Sequence, residues 1–288
     1  MRKYITCAVY FVCCLTAIAA APFQIRAEEG AAISKDGVSI SYSVYGKGEP
    51  ALVFIHGWSC NRSVWKKQVP FFKKKYRVVT LDLAGHGRSG KERAVYSLEA
   101  FGEDVAAVVR AIHAPQVVLL GHSMGGAVII EAAEIMPDRV IALVGIDTMQ
   151  DFEEAHTAEQ IKEIVKPFKD DFKKATDSFV RSMFVKDTPA GFMREIIGMM
   201  THADPAVGIS AMEELFAASY VEHPPKINVP VWVLNADLWP TNPEVNRKYV
   251  PEFNLSIMPG RGHFLMLESP GEFNKRLDEI ITEIVRRE

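Results

Sequence analysis

The sequence predicts an α/β chain: a doubly wound, mostly parallel sheet with helices on both faces and a helical cap inserted late in the core. Three observations carry this. Apolar runs at 51–55, 78–81, 117–120, 141–146, 231–234 and 255–258 mostly alternate with helical stretches, the texture of strands buried on both faces of a parallel sheet. Residues 150–226 interrupt that alternation with no strand-like pattern at all, too long for a plain loop. The 288 residues are 48% hydrophobic and 24% charged, which suits a folded core and excludes disorder, coiled coil and collagen-like repeats.

At the N-terminus, Arg2 and Lys3 precede an apolar run from Tyr4 to Ala21, and acids first occur at Glu28 and Glu29. That is the layout of a secretory signal over residues 1–27, with cleavage after the Ala19-Ala20-Ala21 cluster or near Ala27. The competing reading is an uncleaved anchor, since the run is near the lower length for spanning a bilayer. With cleavage, the protein is exported, periplasmic or secreted, and has no stable membrane association. Cleavage would remove Arg2, Lys3 and Arg26 and no acid, taking the net charge from −3 to −6. Cys7, Cys13 and Cys14 would leave with the signal, so Cys60 alone remains and an intramolecular disulfide is excluded. With no basic run beyond Lys73, Lys74 and Lys75, nucleic acid is not an expected partner.

The remaining chain divides into a core over 28–149 and 227–288, with the cap over 150–226. Ile33 and the alternating Val38, Ile40, Tyr42 and Val44 flank Asp36-Gly37, which predicts an opening hairpin. Residues 97–112 read as a helix before the strand at 117. Ser269-Pro270-Gly271-Glu272 reads as a capping box opening the last helix. Within the insertion, Thr157–Gln160, Thr188-Pro189 and Asp204-Pro205 are helix starts, and the alternating charges of 153–174 predict one solvated helix face.

The strongest chemical signal is Val117-Val118-Leu119-Leu120-Gly121-His122-Ser123-Met124-Gly125-Gly126. A strand runs through Gly-x-Ser-x-Gly into a helix, placing the Ser123 hydroxyl on a sharp turn beside a helix N-terminus. With the segments Phe54-Ile55-His56-Gly57-Trp58, Asp82-Leu83-Ala84-Gly85-His86-Gly87-Arg88-Ser89 and Pro259-Gly260-Arg261-Gly262-His263-Phe264, the chain resembles the α/β-hydrolase superfamily over nearly its whole length beyond the signal. The resemblance implies that Ser123 is the nucleophile, that His263 is its base, and that the backbone N–H groups of Trp58 and Met124 form an oxyanion hole. A serine at this turn excludes the dehalogenase and epoxide hydrolase chemistry of the fold, which uses aspartate there.

The orienting acid departs from the commonest pattern. Most relatives carry it a few residues past the strand that is here 231–234, where alignment from Pro230 places Trp239. Two carboxylates could substitute: Asp147, following the strand at 141–146, and Asp237. Certain haloalkane dehalogenases of this fold use the former place. Asp147 is preferred because one helix and one strand separate it from Ser123, putting it on the adjacent strand. Asp237 stands close to the end of its own strand, where Asn235 or Thr241 is expected to claim its carboxylate.

His122 is expected to pack beneath the nucleophile and His56 to hold the oxyanion loop. His86 sits in a turn, and His113, His156, His202 and His223 lie on the surface or in the cap. Substrate contacts are expected from Trp58, His122, Phe184, Met199 and Trp239. The plainer reading of the many Met and Phe residues of the insertion, Met183, Met193, Met200, Met212, Phe179, Phe192 and Phe216 among them, is packing against the sheet. The resemblance implies a serine hydrolase that cleaves carboxylic esters of small to medium acyl groups through an acyl-enzyme, with a small-molecule substrate and no metal or organic cofactor. Alternatives within the fold are a lactonase, a carbon–carbon bond hydrolase or a cofactor-free perhydrolase, and an amide substrate is possible. Outside enzymes, the alternative is a non-catalytic ligand-binding protein of the same fold. The sequence leaves the oligomeric state open.

Overall fold

The computed structural model describes residues 27–287; the predicted signal lies outside these residues apart from Ala27. Eight strands form one sheet in the order β1-β2-β4-β3-β5-β6-β7-β8. They are β1 (Glu28–Ile33), β2 (Ser39–Tyr45), β3 (Ala51–Ile55), β4 (Val78–Leu81), β5 (Val117–His122), β6 (Val140–Ile146), β7 (Val231–Ala236) and β8 (Phe253–Met258). β1 and β2 pair as the predicted hairpin and β2 runs antiparallel to β4, while every pairing from β4 to β8 is parallel. All residues of β3, β4, β5 and β6 are buried, which is why their sequences are apolar apart from Thr80 and the terminal His122.

A short helix, α1 (Val69–Phe72), precedes β4. Helix α2 (Leu98–Ala111) starts where Ser97 accepts a hydrogen bond from Ala100 N, and it packs against α3 (Met124–Ile135). The chain steps from β3 outward to β4 and then returns to place β5 on the other side of β3. That reversal leaves a crevice at the carboxyl ends of β3 and β5, the usual ligand position in such sheets.

Four helices fill the segment between β6 and β7: α4 (Ala158–Asp170), α5 (Phe172–Ser182), α6 (Ala190–Thr201) and α7 (Pro205–Ala217). The three expected starts are present: Thr157 and Gln160 form a reciprocal capping box, Pro189 precedes α6, and Asp204 accepts from Ala206 N. The charged run is two helices rather than one face. Asp171 leaves helical geometry and caps α5 through Lys174 N, and Val165, Phe168 and Phe172 are buried between the charges.

The remaining helices are α8 (Pro243–Tyr249), α9 (Leu265–Glu268) and α10 (Pro270–Arg287). The capping box expected at Ser269 does not form. The N–H of Ser269, just past α9, donates to Leu265 O at the start of that helix, and Glu272 pairs with Arg261 and Arg276 instead. The short α9, invisible in the apolar run Phe264-Leu265-Met266-Leu267, consumes the donor that the box needs. Among the described residues, no helix is long and apolar enough to cross a membrane.

Candidate active site

Ser123 joins β5 to α3 with φ 54° and ψ −123°. A non-glycine residue at positive φ is strained, by roughly 1–3 kcal/mol, and the surroundings enforce it. A Cβ on Gly121 would lie 2.1 Å from Gly125 O, and one on Gly125 would lie 2.8 Å from the carbonyl oxygens of Ile55 and His56. The turn therefore closes only with glycine on both sides. The Ser123 N–H donates to Ile146 O at 3.0 Å, fixing the turn to the neighbouring strand. Met124 opens α3, where unpaired N–H groups and the helix dipole favour negative charge.

The pairing of β5 with β6 sets His122 opposite Ile146, so Ser123 and Asp147 follow on adjacent strand ends. Asp147 is buried, with φ 47°. Its Oδ1 accepts from Ala236 N at 2.8 Å, and its Oδ2 accepts from His263 Nδ1 at 2.5 Å. The structure thus brings Asp147, rather than Asp237, against the His263 ring. The carboxylate of Asp237 is exposed and accepts from Gly260 N at 2.7 Å, supporting the start of the histidine loop. The expected competition from Asn235 and Thr241 is corrected: Asn235 grips both backbone groups of Thr148 and bonds Thr241, with no bond to Asp237.

His263 follows β8 on a loop tied down from three sides. Its N–H donates to Met183 O at 2.8 Å, its carbonyl accepts from His122 Nε2 at 3.0 Å, and Gly262 N donates to Glu268 Oε2 at 2.9 Å. Burial pushes the Glu268 carboxyl above its ordinary value and pushes His122 well below its own, so His122 stands neutral with Nε2 as donor. The rings of His122 and His263 lie 4.6 Å apart. Trp239, which occupies the usual acid position, sets its indole edge-on to His263 at 5.2 Å while 37% of it stays exposed.

On the opposite side, the His56 Nδ1–H donates to Gly57 O and its Nε2 accepts from Leu83 N. Burial holds this ring neutral, with a pKa lowered to about 4. The loop that carries Trp58 is thereby pinned, and the Trp58 indole donates to Gly208 O of α7 at 2.7 Å and meets Phe168, Phe172 and Phe179. The residue both continues the β3 turn and fastens the inserted helices.

Ser123, Trp58 and His122 share a small cavity of about 40 Å³ walled by Phe179, Met183, Met200, Met212, Leu215, Phe216 and Phe264. Two expected contacts are corrected. Phe184 turns away to stack on Phe264 and meet Phe192, and Met199 faces a separate cleft beside Ser63. For Met199 the helical phase decides, since Met200, next along α6, takes the inward position. Roles missed in the sequence include those of Asn235, which grips Thr148, and Glu268, which holds the histidine loop. Their signal was a polar residue inside or beside an apolar run: Asn235 ends Val231-Trp232-Val233-Leu234, and Glu268 ends the run after His263.

A model described as the alpha/beta hydrolase family matches residues 52–276, and the chain belongs to that family. The 3-oxoadipate enol-lactonase 2 of Acinetobacter baylyi is 25% identical over 261 residues, covering 86% of this chain and 95% of the relative. The bifunctional esterase/perhydrolase DCH of Acinetobacter calcoaceticus is 39% identical over 99 residues, 34% of this chain and 36% of the relative. Among solved structures, an esterase from Exiguobacterium antarcticum superimposes with a TM-score of 0.80 at 20% identity, covering 88% of this chain and all of that one.

Proposed function

We propose that this hydrolase-family protein cleaves carboxylic esters through an acyl-enzyme on Ser123. The observation that carries the proposal is the buried Asp147–His263 pair beside a serine held at positive φ on the adjoining strand end. A serine hydroxyl is a weak nucleophile until a base accepts its proton, and the base acts only in the tautomer that leaves one nitrogen free. With Nδ1–H given to Asp147, the lone pair of His263 lies on Nε2.

In the proposed cycle, Ser123 Oγ attacks the ester carbonyl carbon while His263 Nε2 takes the hydroxyl proton. The N–H groups of Met124 and Trp58 receive the developing oxyanion. Collapse breaks the bond to the alcohol oxygen, which leaves with the proton from His263. Water, deprotonated by the same nitrogen, then releases the acid and restores Ser123. Asp147 keeps the ring oriented and stabilises its charged form. The apolar wall of Met183, Met200, Met212, Leu215 and Phe216 suits an acyl group, and the cavity's size favours a short one. The enol-lactonase relative supports including cyclic esters among the substrates, since a lactone opens by the same steps.

We propose export as the protein's destination, from the N-terminal residues alone. The functional test is p-nitrophenyl esters from acetate to palmitate with fluorophosphonate labelling of wild type and Ser123→Ala. We expect turnover and labelling at Ser123, both lost in the variant. Turnover that survives in Ser123→Ala, or labelling at another serine, would overturn the assignment.

A further inference from the structure

The His263 ring is fixed at one atom, and its neighbours must hold the rest. Nδ1 donates to Asp147 Oδ2 at 2.5 Å, and the backbone of the loop is tied to Met183 and His122. A ring held by one hydrogen bond can still pivot about it, and a displacement of about 1 Å can cost on the order of a hundredfold in rate. Three aromatic rings bracket the imidazole: His122 at 4.6 Å, Trp239 at 5.2 Å and Phe264 at 5.5 Å. His122 and Phe264 are buried, whereas Trp239 is 37% exposed. Of the three, Trp239 is the one that stands between the imidazole and solvent.

The sheet sets the side on which it stands. In the order β5-β6-β7, successive strand ends carry Ser123, Asp147 and then the segment of Trp239. Trp239 is thus beyond Asp147 as seen from the nucleophile, and the walls of the Ser123 cavity do not include it. Nor does it ride on a free loop. Two residues before it, Asp237 accepts from Gly260 N at 2.7 Å; two residues after it, Thr241 accepts from Asn235 Nδ2 at 2.9 Å. Asn242 N donates to Gln150 O at 2.7 Å, and Pro240 restricts the backbone of Trp239 further. Despite that place at the rim, Asp147 and His263 keep only 2% and 5% of their own surface exposed.

Building on the ester-hydrolase reading above, we propose that Trp239 is a positioning residue that closes the solvent side of the imidazole. It keeps the ring turned toward Ser123 and keeps water off the bond between His263 Nδ1 and Asp147. A hydrogen bond between buried groups gains strength from a dry surrounding and weakens where water competes for its partners. The strand end that carries the acid in the commonest pattern of the family supplies a wall here, because the acid has moved to β6. Trp239 therefore acts through His263 and not on the substrate.

The test measures kcat and KM on p-nitrophenyl butyrate for wild type, Trp239→Ala and Trp239→Phe, with thermal melts. Beside it, NMR of nitrogen-labelled protein reads how fast the proton on His263 Nδ1 exchanges with water. We expect Trp239→Ala to lower kcat by about tenfold to a hundredfold with KM within about twofold, and to speed exchange of the Nδ1 proton. Trp239→Phe should recover most of both, since it restores an aromatic ring beside the imidazole. Should Trp239→Ala not fold, Trp239→Val takes its place in the same comparison. A folded variant with wild-type kcat, a loss carried by KM alone, an unmoved Nδ1 exchange rate, or a phenylalanine no better than alanine would overturn the proposal. If wild type turns over no ester and Ser123 fails to label, the ester-hydrolase reading itself has failed, and the exchange rates still decide whether Trp239 shields the pair.

Discussion

Replacing Asp147 by asparagine changes one atom and should nearly abolish turnover, for a reason fixed by Ala236. In the native site, Oδ1 accepts from Ala236 N and Oδ2 accepts from His263 Nδ1. An asparagine has only one oxygen to offer. The Ala236 N–H is a buried backbone donor and claims that oxygen, which turns the amide NH2 toward His263. Facing a donor, Nδ1 must become the acceptor, and the ring proton moves to Nε2, where it blocks removal of the Ser123 proton. The opposite amide orientation sets NH2 against the Ala236 N–H and leaves that donor unpaired, a cost of about 1–3 kcal/mol. The expected loss in kcat is on the order of 10⁴, or ~5 kcal/mol of transition-state stabilisation at 1.36 kcal/mol per tenfold. The assay is kcat on p-nitrophenyl butyrate beside a thermal melt, with Asp237→Asn as the comparison. Asparagine at 237 keeps an acceptor for Gly260 N, so that variant should stay within about threefold of wild type, a spread small against 1.36 kcal/mol per decade. A folded Asp147→Asn within tenfold of wild type, or a larger loss in Asp237→Asn, would refute the tautomer argument.

Arg93→Met should destabilise the fold by about 3–5 kcal/mol in a denaturant melt. Arg93 donates to buried Asp104 at 2.6 Å, and burial already pushes that carboxyl upward, so the variant leaves an uncompensated charge in the core. Gly121→Ala should abolish soluble expression or activity, because its Cβ would overlap Gly125 O; wild-type yield and rate would contradict the close approach. Stability should fall on acidification below about pH 6.5, the ordinary histidine value. His56 and His86 are held neutral, with pKa values lowered to about 4 and about 3, so the unfolded chain binds the extra protons. Each histidine's contribution is complete above pH 6.5 and drains on the order of 1 kcal/mol per pH unit as the pH falls toward the folded value; a Tm constant from pH 7 to pH 4.5 would contradict this. Phe216→Ala, by opening the cavity wall, should shift preference among p-nitrophenyl esters toward longer acyl chains, and an unchanged profile would place the acyl group elsewhere.

Much of the sheet was legible because its strands are buried on both faces. Val117-Val118-Leu119-Leu120 needs no alternation to be read as a strand, and Gly121, Ser123 and Gly125 mark the turn that follows. The place of Asp147 was legible for a related reason: one helix and one strand after Ser123 leads to the adjoining edge, and β6 pairs with β5 there. What escaped was whatever depends on who reaches a partner first. Ser269 looked like a capping residue until α9 took its N–H. Met199 and Phe184 were plausible pocket residues by composition, but a single step of 100° along α6 gives the inward place to Met200, and Phe184, in the connection after α5, packs on Phe264 and Phe192 instead. Asp237 found its donor in Gly260, 23 residues away in sequence, a contact that local chemistry does not announce.

The hydrogen bond from His263 N–H to Met183 O, at the end of α5, joins the inserted helices to the very loop that carries the imidazole. A Cβ on Gly262 would strike the same carbonyl at 2.6 Å, so the two backbones touch with no side chain between them. Any displacement of α5 is therefore transmitted directly to the position of the ring. Exchanging the inserted segment for that of a relative would then do more than recut the pocket. It would retune the proton-transfer step, so that chimaeras with a well-fitting pocket could still turn over slowly unless the residue at 183 meets the histidine loop at the same height.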